Sequence, residues 1–313
     1  MTTIAVVMVT SRGDEALEGT LAALGRARDA VGPSDQIITV IVDNASRDGT
    51  GARIRQRAPW ADLVELPRNV GFAAGCNAGM RRAGESDLVV LLNPDVEVPS
   101  DFFTLLTTLD WPSDIAIRGP AIVHANGELE QSARGFPHAR TGLFGRTSLL
   151  ARVRPGSRLL RRDLVADLTA GPRVVDWVSN ACSIAPAERF RSIGLLDEGY
   201  FLYWEDADWC LRATLNGYRV MYDPRIVVVH HQGSSSQYRR LSARAIVAII
   251  WFHRSAFRYW RKNVAESPIS TTVAALALAL RCAFKLTALV VQRSINRPQT
   301  AGAHDKLGSG DHP

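Results

Sequence analysis

Over its first hundred residues this chain alternates short β-branched runs with segments of helical period, and that alternation leaves few folds open. Residues 4–9, 37–42, 63–66 and 88–92 read as strands, and 15–30, 48–57 and 73–83 as helices. Such a succession implies βαβ units: an α/β chain with a mainly parallel sheet, whose ligands gather at the carboxyl ends of the strands. At 313 residues, one large α/β domain with an appendage fits as well as two domains. With 46% hydrophobic and 22% charged residues, a disordered or collagen-like chain is excluded.

Pro99 should open a helix that runs to 109, after which the pattern weakens into an Arg-rich stretch, 142–173, read as a variable loop. A second block follows, with a strand at 174–184, helices at 186–193 and 205–216, and strands at 218–222 and 226–230. From 241 to 293 the pattern is helical and apolar, and 298–313 reads as a disordered tail. Charge is distributed unevenly: residues 1–223 hold 24 basic and 28 acidic side chains, whereas 224–297 hold 12 basic ones and only Glu266. Arg254, Arg258, Arg261 and Lys262 stand beside Trp251, Phe257, Tyr259 and Trp260, the mixture an interfacial helix uses against an anionic phosphate surface. In the second helix Arg281, Lys285 and Gln292 form a narrow polar stripe. Arg281 and Lys285 interrupt the apolar run 267–280 before it reaches the roughly 20 residues a span requires, so the expectation is a helix lying on a membrane and not crossing it. Cys76, Cys182, Cys210 and Cys282 are too scattered for a zinc motif or a disulfide framework, and no basic-plus-apolar leader precedes the first strand. Both features suggest a cytoplasmic chain without a signal peptide.

Chemistry is expected where strands end. Strand 37–42 runs into Asp43-Asn44-Ala45-Ser46-Arg47-Asp48-Gly49-Thr50. There a carboxylate can accept the N3 hydrogen of uracil or thymine, and the helix start suits phosphate or ribose; the same residues also make an ordinary strand-to-helix turn. Residues 69–79, rich in Gly and Ala, permit close backbone approach to a ligand or equally close packing on the sheet. Neither they nor Thr10-Ser11-Arg12-Gly13 form G-x-G-x-x-G, which disfavours a Rossmann dehydrogenase. Strand 88–92 ends in Asn93-Pro94-Asp95, which places a carboxylate where a divalent cation bridging a diphosphate would need hard oxygen ligands; a plain Pro-Asp turn is the alternative.

The densest polar cluster is Glu205-Asp206-Ala207-Asp208, preceded by aromatic residues ending in Trp204. Three carboxylates so close repel one another unless a cation, a substrate proton or a helix N-terminus uses them, and Arg212 is spaced to neutralise Asp208 at i+4. The last strand delivers His230 and His231, followed by Gly233, Ser234 and Ser235. Neutral imidazoles there can join Asp95 on a metal, and Gly and Ser donors can hold phosphate.

Together these segments resemble the family 2 glycosyltransferases of the GT-A fold, in particular the bacterial rhamnosyltransferase-like branch. The likeness runs over 4–236 through D-N-A-S-x-D-G-T, N-x-G-F-A-x-G-x-N, L-N-P-D, G-x-L-D-E-x-Y-F-x-Y-x-E-D-x-D-x-x-x-R and the H-H pair. It implies a GT-A, Rossmann-like sheet flanked by helices over 1–240, with a nucleotide-sugar half to about 110 and an acceptor half beyond it. Amphipathic membrane-associating helices would then occupy 241–297. By the same resemblance Asp43 reads the base, and Thr10, Asn44, Ser46, Asn69, Gly71, Asn77 and Asn93 surround the nucleotide sugar. Asp95 with His230 or His231 binds a divalent cation, Mg²⁺ or Mn²⁺. Asp206 is the general base of a single inverting displacement, and Glu205, Asp208, Trp177 and Trp204 shape the acceptor site. Three positions depart from the pattern: Ser11-Arg12 replaces Tyr-Asn after the first strand, Asn93-Pro94-Asp95 stands for D-x-D, and Asn180 stands where Gly is frequent. The processive-synthase motif Q-x-x-R-W is absent, which favours addition of a single sugar.

The expected activity is transfer of L-rhamnose from dTDP-rhamnose to a polyprenyl-diphosphate-linked GlcNAc or similar cell-envelope acceptor, at the cytoplasmic face of the membrane and without nucleic acid. The oligomeric state stays open, a homodimer included. A UDP-sugar-dependent transferase of cell-wall or exopolysaccharide assembly is the alternative within the class. A sugar nucleotidyltransferase would need a Gly-rich basic loop after the first strand, which 10–15 does not resemble. A non-catalytic module that uses the basic C-terminal quarter would leave Asp206 dispensable.

Overall fold

The computed structural model describes residues 1–13, 15–136, 164–165, 167–169, 171–231 and 242–295. Most of the expected variable loop, together with Gly233, Ser234, Ser235 and the tail, lies outside the described residues. The N-terminal elements fall within two residues of expectation: β1 (Thr3–Thr10), α1 (Glu15–Asp29), β2 (Gln36–Asp43), α2 (Thr50–Arg57), β3 (Asp62–Glu65), α3 (Phe72–Ala83) and β4 (Leu88–Leu92). Next come β5 (Val96–Glu97), α4 (Phe102–Thr108), β6 (Ile115–His124), β7 (Ala133–Arg134), β8 (Leu164–Val165), β9 (Arg173–Val175), β10 (Trp177–Val178) and β11 (Cys182–Pro186). The chain continues through α5 (Ala187–Ser192), α6 (Glu205–Leu215), β12 (Arg219–His230), α7 (Ala243–Asn263) and α8 (Pro268–Ile295).

The main sheet has the order β3-β2-β1-β4-β11-β6-β12-β5, with β9 paired to β12. Strands β3, β2, β1 and β4 are mutually parallel, as are β6 and β12, while β11, β5 and β9 run against their neighbours. The sheet is therefore mixed and mostly parallel. Alternate residues of β1 feed two cores: Ala5, Val7 and Val9 pack on one face with α3 and α6, and Ile4, Val6 and Met8 on the other with α1 and α4. Burial on both faces explains why these strands read as unbroken apolar runs, each large side chain contributing about 1.5–3 kcal/mol. The Gly-rich stretch of α3 makes the close packing: a Cβ on Gly75 would stand 2.8 Å from Val9 Cγ1.

Three expectations change. The strand expected at 174–184 is broken into β9, β10 and β11, shared between the main sheet and a three-stranded one, β10-β7-β8. The two strands expected at 218–222 and 226–230 are one strand, β12, whose register against β6 shifts between Asp223 and Val227. That irregularity accommodates Pro224, which cannot donate to a ladder.

The third change concerns the membrane. An 18-residue window within Pro268–Val291 of α8 reaches a mean hydropathy of 1.9, so by length and composition this helix is long and apolar enough to cross a bilayer, and Arg281 and Lys285 do not cut the apolar run short as expected. Both charges lie on the stripe of α8 that faces α7: the Arg281 guanidinium sits 5.5 Å over the Phe252 ring, and both cations act on His253. The outward face, with Val273, Leu276, Leu280, Phe284, Val290 and Val291 exposed, is left without an interrupting charge. Nor do the basic residues of α7 all face outward, because Arg258 and Lys262 turn inward to Asp197 and Lys262 also reaches Asp208.

Candidate active site

The carboxyl ends of β2, β4 and β12 and the first turn of α6 carry the expected residues. Asp43, the last residue of β2, is buried and accepts the Ser46 N–H at 2.9 Å and the Ser46 hydroxyl, which tightens the turn into α2. Opposite it in register, the Thr10 hydroxyl is buried and unpartnered. Asn44 is a clamp: its amide donates to Asn69 Oδ1 and Gly71 O, both at 3.1 Å, and its carbonyl accepts the Val70 N–H at 2.8 Å. Gly71 has φ +91°, and a Cβ there would lie 2.6 Å from the carbonyl oxygen of Phe201, so only glycine lets this loop meet the chain that leads into α6. Asn77 is bonded at both ends of its amide to Leu196 and Glu198. Asn44, Asn69, Gly71 and Asn77 thus tie the end of β2, the entry to α3 and the chain leading into α6 together through protein–protein bonds. The Asn93 N–H donates to Ala181 O at 2.8 Å and ties the end of β4 to β11.

Sequence reasoning left open which of the two histidines joins Asp95, and the structure sets them against different carboxylates. His230 Nε2 lies 3.2 Å from Asp95 Oδ1, whereas His231 Nε2 lies 3.0 Å from Glu97 Oε1. Side-chain alternation at the end of β12 sends the two rings to different carboxylates. His230 Nδ1 lies 2.7 Å from Oε2 of Glu130, a residue the sequence reading missed. Its signal was present: Asn126-Gly127 following a β-branched run marks a hairpin turn, and the chain folds back so that Leu129 bridges Val123. Burial alone would lower the His230 pKa, but its hydrogen bonds to Asp95 and Glu130 and their charges carry it up to about 9. Burial likewise opposes ionisation of Glu130, yet His230 holds its carboxyl below the ordinary value.

This donor set fits a divalent cation. Asp95 Oδ1 and His230 Nε2 converge, and a carboxylate orients the imidazole from its far edge, as is usual for metal-binding histidines. Among the described residues no three His, Cys, Asp or Glu side chains gather to hold an ion by themselves. Diphosphate oxygens and water would complete the shell, as Mg²⁺ sites commonly arrange.

At the start of α6 the carboxylates divide. Asp206 is half-buried and accepts the Ala207 N–H at 2.8 Å. Burial pushes its pKa up to about 6, against the backbone N–H groups and the Arg134 charge that pull it down. Glu205 is buried with Oε2 unpartnered, and burial together with the Asp206 charge holds its pKa well above the carboxylate range. Asp208 has no exposed surface and is fully engaged by the Tyr200 hydroxyl, Arg212 Nε, Lys262 Nζ and the Asn263 amide. The expected i+4 pair with Arg212 is present at 3.2 Å. Ahead of α6, Tyr203 and Trp204 both have left-handed backbones, φ 67° and 71°, which costs a non-glycine residue about 1–3 kcal/mol. Packing from α7 holds them: Trp204 against Tyr259 and Phe252 with centroids 5.2 and 5.7 Å apart, Tyr203 against Phe252 at 5.9 Å. The Trp177 indole donates to Gly135 O at 3.0 Å under the Arg134 guanidinium.

An α/β sheet with acids at the end of β2 and just after β4, on either side of β1, and an acidic cluster opening α6 is a frame suited to group transfer, and the comparisons identify the class. The family model of glycosyl transferase family 2 matches residues 5–168, and the chain belongs to that family and is a glycosyltransferase. It is 30% identical over 243 residues, 74% of this chain and 76% of the relative, to N-acetylglucosaminyl-diphospho-decaprenol L-rhamnosyltransferase of Mycobacterium tuberculosis. It is 26% identical to the rhamnosyltransferase WbbL of Escherichia coli over 57% of this chain and 63% of that one. Among solved structures, the mannosyltransferase of Pyrobaculum calidifontis in complex with GDP-Man and Mn²⁺ superposes with a TM-score of 0.53 at 16% identity, over 93% of this chain and 74% of that one. That likeness confirms the GT-A fold.

Proposed function

We propose that this glycosyltransferase moves L-rhamnose from dTDP-rhamnose to a polyprenyl-diphosphate-linked GlcNAc or similar cell-envelope glycan. The observation that carries the reading is the 30% identity over three quarters of the chain to an enzyme named for that acceptor type and that sugar. Residues 1–240 would form the transferase and 241–297 the membrane-associating helices, with the apolar face of α8 toward lipid at the cytoplasmic side.

In this reading Asp43 accepts the N3 hydrogen of thymine. A divalent cation, Mg²⁺ or Mn²⁺, would be held by Asp95 and His230 and would supply charge to stabilise the departing diphosphate. Asp206 takes the proton of the acceptor hydroxyl as its oxygen attacks the anomeric carbon, and one displacement inverts that centre. Its raised pKa suits the task, since a base works best with a pKa close to the operating pH. Burial and the Asp206 charge raise the Glu205 pKa, which disfavours a second negative charge beside the base. Trp204, held by α7, lines the acceptor side, and Asp208 fixes the helix that presents Asp206.

The test is calorimetric titration of the purified chain with dTDP, UDP and GDP, with and without Mn²⁺, followed by turnover of dTDP-rhamnose on polyprenyl-diphosphate GlcNAc in detergent. Cation-dependent dTDP binding tighter than UDP, with rhamnosyl transfer, is expected. Preference for UDP would overturn the donor, and absence of nucleotide binding would overturn the mechanism.

A further inference from the structure

We propose that Glu130 is a positioning residue for the cation: it fixes the His230 ring so that Nε2 faces Asp95 and the donor diphosphate. The proposal rests on the reading of Asp95 and His230 as the cation's protein ligands. Three features of the fold carry it. First, Glu130 is held rigidly. The chain leaves β6 at His124, turns at Asn126-Gly127 with Gly127 at φ +81°, and returns with the Glu130 N–H bonded to Ile122 O at 2.8 Å. This backbone bond sets Glu130 beside the end of β12, where His230 pairs with His124. Second, Glu130 Oε2 is 2.7 Å from His230 Nδ1, and both side chains are largely buried. A carboxylate there holds a proton on Nδ1 and fixes the ring with Nε2 toward Asp95, so a cation that displaces the Nε2 proton would meet that nitrogen's lone pair. Third, only one of the two neighbouring histidines is treated so. His230 has a carboxylate at each ring nitrogen and stacks on His124 with centroids 6.5 Å apart, whereas His231 is more exposed and pairs through Nε2 with Glu97.

Without Glu130 the ring keeps its slot but loses the group that sets its tautomer and rotation. Loss of such an outer partner weakens metal binding about 10–100-fold while the ligands remain. This effect is separable from a structural one, because Asp43 and the base pocket lie on another strand.

The experiment measures Mn²⁺ binding to the full-length chain by electron paramagnetic resonance of the free ion, with dTDP present, for wild type, Glu130→Ala, Glu130→Gln, His230→Ala and Asp95→Asn. Metal-free dTDP affinity and the melting temperature are recorded for each. Glu130→Ala should weaken Mn²⁺ binding about 10–100-fold, and Glu130→Gln, which retains an acceptor oxygen, should recover part of the loss. Metal-free dTDP affinity should not move. If Glu130→Ala, or Glu130→Gln should the alanine variant not fold, binds Mn²⁺ as wild type does while His230→Ala and Asp95→Asn lose it, the role of Glu130 is overturned and the cation reading stands. If wild type shows no saturable Mn²⁺ binding with dTDP, the cation reading falls and the proposal falls with it.

Discussion

Lys262 Nζ of α7 lies 2.9 Å from Oδ1 of Asp208, a fully buried carboxylate in the first turn of α6. Helix α7 is therefore ion-paired to the turn that presents Asp206. Asp197 strengthens the seam: burial opposes its charge, but hydrogen bonds from Lys262, Gly199 and Arg258 hold its pKa near 2.

Removing this seam has a predictable cost. Asp208→Ala leaves Lys262 and Arg212 without their buried partner and should destabilise by about 3–5 kcal/mol. Lys262→Met should cost less, about 1–2 kcal/mol, since Lys262 is partly solvated and Arg212 still serves Asp208. Urea midpoints measure both. The sign with pH follows from the depressed Asp197 pKa. Its contribution is fully present above its ordinary value of 3.8 and is lost as pH falls toward 2, so Lys262→Met should raise the pH at which the protein unfolds in acid.

Asp206 carries a second prediction. As a base with a pKa of about 6, it should give kcat/KM an acid limb centred near that pH. Asp206→Asn should lower kcat by about 10²–10⁴ while dTDP affinity is kept. Because the folded-state pKa is raised above 3.8, the carboxyl favours folding at low pH and loses that contribution as pH rises through 6. The inactive variant should thus melt higher than wild type at pH 8 but not at pH 4. Equal melting at pH 8 would mean that Asp206 is better solvated than its surroundings indicate.

The two histidines should separate in kinetics as they do in space. His230→Ala, which removes a ligand and not only its outer partner, should reduce Mn²⁺-dependent kcat/KM by more than the roughly 10–100-fold that loss of an outer partner costs. His231→Ala, which removes a half-exposed partner of Glu97, should stay within about threefold, and equal losses in a Mn²⁺ titration would refute the division.

The outward face of α8 makes its own prediction. Leu276→Glu with Leu280→Glu places two charges on an exposed apolar surface and should release the chain from sedimenting phospholipid vesicles, since each charge in a hydrocarbon environment costs about 2.5–3.5 kcal/mol. The melting temperature in solution should hold, because neither side chain is in the protein core. Co-sedimentation equal to wild type would show that this face does not meet lipid.

Much of the catalytic frame was legible in the sequence, because it depends on local chemistry. Strands β1, β2 and β4 are largely buried on both faces and so are written as continuous apolar runs, and a strand that runs into Asp43 or Asp95 advertises itself by an abrupt change to polar turn residues. The Glu205-Asp206-Ala207-Asp208 cluster is equally visible, since three acids in one helical turn are rare without a use.

What the sequence could not decide were pairings between distant segments. Glu130 and His230 stand 100 residues apart, and only the parallel pairing of β6 with β12 brings the turn after β6 to the histidine. Asp208 looked like an acceptor-site residue until the fold laid α7 across α6 and filled its oxygens with Lys262 and Asn263. Arg281 and Lys285 interrupted an apolar run on paper, yet helical period places both on the stripe that meets α7, and a helix is apolar toward the membrane by face and not by sequence order. The sequence by itself determined which residue types end which strands, because those choices are local; tertiary structure alone decided which of them meet, because that depends on register across the sheet and on the packing of helices far apart in the chain.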